Sequence, residues 1–270
     1  MKTLVLANQK GGVGKSAVAT LLSHHLAQAG SRVLALDFDH QGNFSKALQM
    51  SGRPAVAAVT ADLLMTSTAV PMPQKPFVLV QSSQALLALD RQPDHHTPFA
   101  RRLRAFLEGV DPQFDVCVID THPNPDIRVI AALASADFVL SPVQLTQEAF
   151  DGVSALLAHP RVGIRKIKEL LNPKLELIGL LPSMVEQTPF QKMNFEQVIR
   201  SYLSLLIRTP GGFAFIPRRS VIAEAQAQGA VLWEMKKTAA RDAWREIEVT
   251  ITTIANVVSE ARVRHGAAAA

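Results

Sequence analysis

Short, mostly apolar runs recur along the chain and are separated by longer segments with apolar residues at helical spacing. The strongest runs cover 4–7, 33–36, 77–80, 114–119, 136–143, 175–181 and 213–216. Runs of this length with little polar alternation are typical of strands covered on both faces, as in a parallel sheet. They predict an α/β fold with a mostly parallel, twisted sheet flanked by helices.

The segments between these runs predict the helices. They cover 17–29, 44–50, 55–65, 98–110, 126–134, 146–157, 161–171, 187–207 and 238–263. In the last segment Ile247, Ile251, Ile254 and Val258 recur at helical spacing. This apolar stripe predicts that the final helix packs against the domain.

The composition narrows the class of protein. Of 270 residues, 48% are hydrophobic and 19% are charged, which fits a globular protein with a sizeable core. We expect one domain over 1–265 and an Ala-rich tail over 266–270. No apolar run approaches the roughly 20 residues of a membrane-spanning helix. The single cysteine, Cys117, lies in a predicted strand and excludes a disulfide framework, so we expect a cytoplasmic protein. We also expect no stable membrane association.

The segment 8–16 joins the first predicted strand to the first predicted helix and is rich in glycine. Glycine adopts backbone conformations that let amide groups curl around an anion, and a helix N-terminus favours negative charge. We therefore predict a phosphate-binding loop in which Lys15 contacts the β- and γ-phosphates and the Ser16 hydroxyl binds Mg²⁺. The candidate nucleotide-binding residues are Gly11, Gly12, Val13, Gly14, Lys15, Ser16 and Ala17.

Carboxylates stand at the ends of two of the predicted strands. Asp37 and Asp39 follow the run 33–36, and Asp120 ends the run 114–119. Open α/β sheets bind ligands at the carboxyl ends of their strands. Carboxylates beside a phosphate loop suit the binding of Mg²⁺ and the activation of water.

Lys10 makes the loop more specific. The segment 10–16, Lys-Gly-Gly-Val-Gly-Lys-Ser, resembles the deviant Walker A loop of the ParA/MinD family, which are P-loop NTPases of the SIMIBI class. The segment 37–43 is similar to a second signature of that family, and the strand ending in Asp120 is similar to its Walker B strand. The resemblance implies ATP or ADP and Mg²⁺ as ligands.

The resemblance also implies a role for each of these polar residues. Lys10 would reach the nucleotide of a partner subunit, so that Lys10, Lys15 and Asp39 are the candidate catalytic residues. Asp39 would orient the attacking water. The candidate metal-site residues are Ser16, Asp37 and Asp120, the two carboxylates acting through water.

Two histidines depart from the family pattern. His40 stands where the family usually has proline, and His122 replaces a proline near Asp120. We interpret His40 as structurally neutral and do not assign His122 a role as general base. The second departure leaves the conformation of the loop after Asp120 open.

The segment 216–229 narrows the resemblance. It runs from Ile-Pro-Arg through Glu-Ala to a glycine and is similar to a late segment of ParA/Soj-type partition ATPases. The resemblance implies that Pro217, together with Met184, completes the nucleotide site, and that Arg218 is a candidate DNA contact. With a net charge of +5, the further candidate DNA contacts are Arg219, Lys166 and Lys168.

The function implied is a DNA-partition ATPase. It would form a homodimer with ATP, bind nonspecific DNA at the nucleoid, and hydrolyse ATP when stimulated by a centromere-binding, ParB-like protein. Three alternatives stay open: a MinD-like membrane-associated positioning ATPase, a co-regulator of a DNA-binding repressor, and a synthetase built on the same scaffold. A reductase with an iron–sulfur cluster is disfavoured because Cys117 is the only cysteine.

Overall fold

The structure confirms the predicted α/β fold. It is a computed structural model that describes residues 1–146, 149–160, 163–186 and 188–268. Within this part, eight strands form one sheet in the order β10-β7-β6-β1-β5-β2-β4-β3, and all neighbouring strands pair in parallel. These strands are β1 Lys2–Leu6, β2 Val33–Asp37, β3 Ala55–Thr60, β4 Phe77–Gln81, β5 Val116–Asp120, β6 Phe138–Gln144, β7 Glu176–Val185 and β10 Ile216–Pro217. Strands β8 (Arg208–Thr209) and β9 (Gly212–Phe213) form a separate antiparallel hairpin.

Helices cover both faces of the sheet. They are α1 Lys15–Gln28, α2 Asn43–Ser51, α3 Leu63–Thr66, α4 Leu86–Leu89, α5 His96–Val110, α6 Ile127–Ser135, α7 Ala149–Ala158, α8 Ile164–Leu170, α9 Pro189–Tyr202, α10 Ser220–Gln228 and α11 Thr238–Ala268. Short 3₁₀ turns occur at Pro93–His95, Asp111–Gln113, Leu203–Leu205 and Leu232–Glu234.

Alternate strand residues belong to two separate cores. In β2, Leu34 and Leu36 pack with residues of α3 to α9, whereas Val33 and Ala35 pack with residues of α1, α2, α10 and α11. Successive side chains of a strand point to opposite faces. The two cores therefore explain why the strand sequences are apolar without alternation.

The C-terminal helix and the cysteine lie as the sequence predicts. Ile247, Ile251, Ile254 and Val258 of α11 are all fully buried against the domain, although the helix continues beyond its predicted end to Ala268. Cys117 is fully buried in β5, and this burial raises the pKa of its thiol. Among the described helices, none has the length and hydropathy needed to span a membrane.

The predicted helix over 55–65 is wrong in its first half. Ala55–Thr60 forms β3, which pairs with β4 at one edge of the sheet, and only Leu63–Thr66 is helical. Alanine favours helices, but Val56, Val59 and Thr60 are β-branched and favour strands. The backbone groups of β4 decide between these weak local preferences, because they would otherwise lack partners on that side.

Several helix boundaries differ from the prediction. Helix α9 ends at Tyr202, five residues before the predicted end at 207, and a 3₁₀ turn and β8 follow. The predicted starts of three helices fall on or beside 147–148, 161–162 and 187, which lie outside the described residues. The described parts of those helices begin at Ala149, Ile164 and Pro189.

Candidate functional site

A cavity of about 1090 Å³ opens at the carboxyl edge of the sheet. It is lined by the loop and first turns of α1, by Asp39 after β2, by Met184 near the end of β7, and by Pro217 and the start of α10. The structure thus brings the whole candidate loop, 11–17, together with Asp39, Met184 and Pro217, which are far apart in sequence.

The backbone of the loop requires glycine at two positions. Gly12 has φ 71° and Gly14 has φ 87°, in the left-handed region that other residues enter only at a cost. A Cβ atom on Gly14 would also lie 2.9 Å from the Ser183 hydroxyl. Gly14 is the N-cap of α1, so the unpaired amides of the helix start face the cavity.

Lys15 lies at the base of the cavity. Its side chain is buried, and Nζ donates to the backbone carbonyls of Asn8 and Lys10, each at 3.3 Å. Burial lowers the pKa of Lys15, and the nearby carboxylates of Asp120 and Asp39 oppose that shift. The cation is therefore poorly solvated and suited to a phosphate group.

Lys10 is half-buried on its own subunit. Its Nζ donates to the Thr146 hydroxyl at 3.2 Å, and its backbone N–H donates to the Asn8 side chain at 2.8 Å. Asn8 in turn donates to the carbonyl of Pro142 in β6. These hydrogen bonds connect the loop to the neighbouring strand β6 on the side of Lys10.

Asp37 and Asp120 lie side by side, because β2 and β5 pair in register at these residues. Both are fully buried. The Ser16 hydroxyl donates to Asp120 Oδ2 at 2.6 Å, whereas Asp120 Oδ1 has no hydrogen-bond partner. Burial and the neighbouring Asp37 raise the pKa of Asp120 well above its ordinary range.

Asp37 also anchors the loop that carries Asp39. Its carboxylate accepts from the backbone N–H of Asp39 at 3.0 Å and from both the N–H and the hydroxyl of Ser45 at 2.7 Å. Burial raises the pKa of Asp37 to about 6, although these hydrogen bonds oppose the shift. Its position fixes Asp39 as well as adding negative charge beneath the cavity.

Ser16, which lines the cavity, and the buried carboxylates behind it fit Mg²⁺. Ser16 and Asp120 offer a hydroxyl and a carboxylate oxygen without a partner, and Asp37 lies beside them. No cluster of three or more His, Cys, Asp or Glu side chains suited to a metal occurs in the part of the chain that the structure describes. Mg²⁺ commonly takes only one or two carboxylates and completes its octahedron with water and phosphate oxygens. The arrangement therefore suits a metal that arrives with a nucleotide.

Asp39 lies at the wall of the cavity. Its side chain accepts from the backbone N–H of Gln41 at 3.0 Å, and its carbonyl accepts from the N–H of Gly42 at 2.9 Å and from the Ser82 hydroxyl. These bonds form a tight turn after β2. The turn fixes the carboxylate at the rim, within the same cavity as the loop.

Met184 lines one side of the cavity, and Gln144 contacts it from behind. Met184 has φ 55°, an uncommon left-handed conformation for a residue other than glycine. The Gln144 side chain donates to the carbonyl of Gly12 at 2.9 Å and lies 3.2 Å from the Met184 sulfur. Strained backbone at such a position is typical of binding sites.

The four candidate DNA contacts do not form one surface. Arg218 and Arg219 line the rim of the cavity, where they pair with Glu186 at 2.7 Å and with Glu246 at 2.8 Å. Lys166 and Lys168 lie on α8, which packs on the opposite face of the sheet. Lys166 pairs with Glu169 at 3.2 Å.

Some residues near the site were not predicted from the sequence. The start of α2 and one face of α10 contribute further polar lining residues, namely Gln41, Asn43, Lys46 and Gln226. A buried group around Arg128 in α6 was not predicted either. An arginine within the otherwise apolar segment 127–134 was the available signal, since arginine is rarely buried unless it is paired.

Comparison with known proteins identifies the family. A family model described as an AAA domain matches residues 1–177. Protein IncC of Escherichia coli is 33% identical over 257 residues, covering 92% of this chain and 67% of IncC. The chain belongs to the ParA/Soj/IncC-type family of partition ATPases.

This partition-family protein is also similar to a second partition ATPase and to a solved structure of a synthase. The chromosome-partitioning ATPase Soj of Thermus thermophilus is 29% identical over 233 residues, covering 86% of this chain and 87% of Soj. The crystal structure of cobyrinic acid a,c-diamide synthase from Mycobacterium smegmatis with bound ADP and magnesium is similar at a TM-score of 0.66 and 25% identity. It covers 85% of this chain and 91% of the synthase. The scaffold is therefore shared by partition ATPases and by an enzyme of small-molecule metabolism.

Proposed function

We propose that this partition-family protein binds and slowly hydrolyses Mg–ATP in the described cavity and switches with the nucleotide between monomer and homodimer. One observation carries the proposal. The Ser16 hydroxyl is hydrogen-bonded to the buried Asp120 directly below a loop that bears both Lys10 and Lys15. A hydroxyl and a carboxylate under two cations form a site for a metal–polyphosphate complex.

Lys15 and the loop amides would hold the phosphates. The 3.3 Å bonds of Lys15 to neutral carbonyls are long. Exchanging them for anionic phosphate oxygens would strengthen them, because charge-assisted hydrogen bonds are about twice as strong as neutral ones. Ser16, Asp37 and Asp120 would hold Mg²⁺, which would neutralise part of the phosphate charge. Met184 and Pro217 would lie next to the adenine of the nucleotide.

Asp39 and Lys10 would promote hydrolysis. Asp39 lies at the cavity wall on a rigid turn and would orient the attacking water. Lys10 would leave the Thr146 hydroxyl and contact the nucleotide of the partner subunit, where it meets the charge that develops on the transferred phosphoryl group. This step makes hydrolysis depend on dimerisation.

We propose that the ATP-bound dimer binds nonspecific DNA and that a centromere-binding, ParB-like protein stimulates hydrolysis. Family membership and the net charge of +5 support this. The four candidate cations would then contact DNA phosphates from separate surfaces of the protein. The protein would be cytoplasmic and associated with the nucleoid.

The test is ATP turnover by the purified protein with Mg²⁺, measured alone, with random-sequence DNA, with the centromere-binding protein, and with both. We expect a slow basal rate and a clear rise with both additions. A rate that neither addition changes would contradict the partition function. A rate that instead rises with a small-molecule carboxylic acid would favour synthetase chemistry on the shared scaffold.

A further inference from the structure

A buried polar cluster lies beside the cavity but has no part in the roles proposed so far. It consists of His122, Asp126, Arg128 and His40, and it joins the turn after β2 to the start of α6. Arg128 is only 2% exposed and His122 only 1%. Burying such groups is costly unless their hydrogen bonds are satisfied, so the arrangement of the cluster calls for an explanation.

Asp126 is the centre of the cluster. Its Oδ2 accepts from Nε and Nη2 of Arg128 at 2.9 and 2.6 Å and lies 2.7 Å from Nε2 of His122. Its Oδ1 accepts from the backbone N–H of Arg128 at 2.9 Å and so caps α6. Burial alone would raise the pKa of Asp126, but the hydrogen bonds from His122 and Arg128 lower it to about 2. The carboxylate therefore stays charged and holds the guanidinium in one orientation.

The remaining arm of Arg128 points to the turn that carries Asp39. Its Nη1 lies 3.4 Å from Nδ1 of His40, and that same nitrogen lies 3.6 Å from Oδ1 of Asp39. Because arginine can only donate, Nδ1 of His40 accepts this bond, and His40 acts on Asp39 through the turn that the two residues share. The His40 ring also packs edge-on against His122, with centroids 6.5 Å apart. Arg128 thus contacts the turn that carries Asp39 through the His40 side chain.

We propose that Arg128 is a positioning residue for ATP hydrolysis, which holds His40 and thereby fixes Asp39 relative to the strand that ends in Asp120. The inference rests on the proposed role of Asp39. The two halves of the cluster lie on separate elements, the turn after β2 and the start of α6. A buried ion pair that contributes little net stability can still impose a single arrangement on such elements.

The main competing explanation is that Arg128 and Asp126 only stabilise the start of α6. The two explanations differ in what His40 does. If Arg128 acts through His40, removing either side chain has the same effect on turnover, and removing both has no further effect. If the pair only stabilises α6, the His40 variant is neutral in turnover and the effects of the two changes add.

The experiment compares Arg128→Met, His40→Gln and the double variant in steady-state ATP hydrolysis. We expect each single change to lower kcat about tenfold and the double variant to match them, with KM for ATP changed less than about twofold, because misorientation affects the reaction and not binding. The control is Arg32→Met, which removes a guanidinium from a more exposed pair with Asp115 at the amino edge of the sheet. We expect this control to keep the kcat of the unaltered protein.

A conservative variant covers the case in which Arg128→Met does not fold. Arg128→Lys keeps a cation beside Asp126 but lacks the fork that also reaches His40. We expect the melting temperature to be nearly retained while kcat falls to the level of His40→Gln. Unchanged kcat in Arg128→Lys or His40→Gln, additive losses, or an equal loss in Arg32→Met would overturn the proposal.

Hydrogen exchange separates this inference from the proposed function. The amides of Gln41 and Gly42 are bonded to Asp39, and we expect them to exchange faster in Arg128→Lys and His40→Gln in the absence of nucleotide. Unchanged exchange would contradict the positioning role whatever the rate of hydrolysis. A protein that hydrolyses no ATP at all, yet shows the faster exchange, would contradict the proposed function and leave the linkage standing.

Discussion

Alanine substitution along the glycine-rich loop before α1 should give a graded loss of stability whose order follows from the backbone and packing at each glycine. Gly14 has a φ of 87°, which disfavours any side chain, and an added Cβ would also lie 2.9 Å from the Ser183 hydroxyl. Left-handed backbone costs about 1–2 kcal/mol for a non-glycine residue. Overpacking a buried contact costs about a further 1–3 kcal/mol. Since Ser183 is itself buried and cannot move freely, we expect Gly14→Ala to lose about 2–5 kcal/mol.

Alanine substitution at two neighbouring glycines distinguishes the backbone cost from the packing cost. Gly12 has φ 71° but no atom within 4 Å of its added Cβ, so Gly12→Ala should lose only the backbone cost of about 1–2 kcal/mol. A Cβ on Gly11 meets nothing nearer than Pro123 at 3.9 Å. Gly11→Ala should therefore lie within about 0.5 kcal/mol of the unaltered protein.

The assay is urea denaturation of the nucleotide-free protein, with the free energy of unfolding taken from the midpoint and a common slope. Working without nucleotide keeps any effect on ligand binding out of the comparison. Equal losses in Gly12→Ala and Gly14→Ala would refute the close approach of Ser183. A loss in Gly11→Ala as large as either would refute the loop geometry as a whole.

Two further predictions concern the lysines and Asp126. Lys15→Ala should weaken ATP binding at least about tenfold, whereas Lys10→Ala should bind a fluorescent ATP analogue with nearly unchanged affinity and fail to hydrolyse ATP; full turnover in Lys10→Ala would exclude its role across the dimer. The pKa of Asp126 is lowered to about 2 in the folded protein, so its contribution to stability is present above its ordinary pKa of about 3.9 and is lost as the pH falls through about 2. The difference in unfolding free energy between the unaltered protein and Asp126→Asn should therefore shrink by about 2 kcal/mol between about pH 5 and pH 2, and a constant difference would contradict the prediction.

The parts of the site that follow from local pattern could be predicted from the sequence. An apolar run that ends in a carboxylate marks the end of a buried strand, and this placed Asp37 and Asp120 at one edge of the sheet. The glycines of the loop need conformations that only glycine adopts readily. These features depend on the chain within a few residues. The structure places the glycines in the lining of the cavity and the two buried carboxylates behind Ser16, which also lines it.

Features of the fold and the site that depend on contacts between distant residues could not be predicted from the sequence. The strand β3 exists because the edge of β4 is available to it, and its own residues favour helix and strand almost equally. The link between His40 and Arg128 joins residues 88 positions apart, and nothing in the local pattern of either predicts the other. The candidate DNA cations likewise fall on opposite faces of the sheet, which their positions in sequence could not reveal.

DNA binding by the Asp39→Ala variant, which we expect to be deficient in ATP hydrolysis, tests the central proposal most directly. The measurement is fluorescence anisotropy of a labelled random-sequence duplex with Mg²⁺ and ATP, with ADP, and without nucleotide. We predict binding only with ATP, weakening steeply as salt is raised because the contacts are to phosphates. Binding of equal strength in all three conditions, or no binding with ATP, would contradict a nucleotide-switched partition protein.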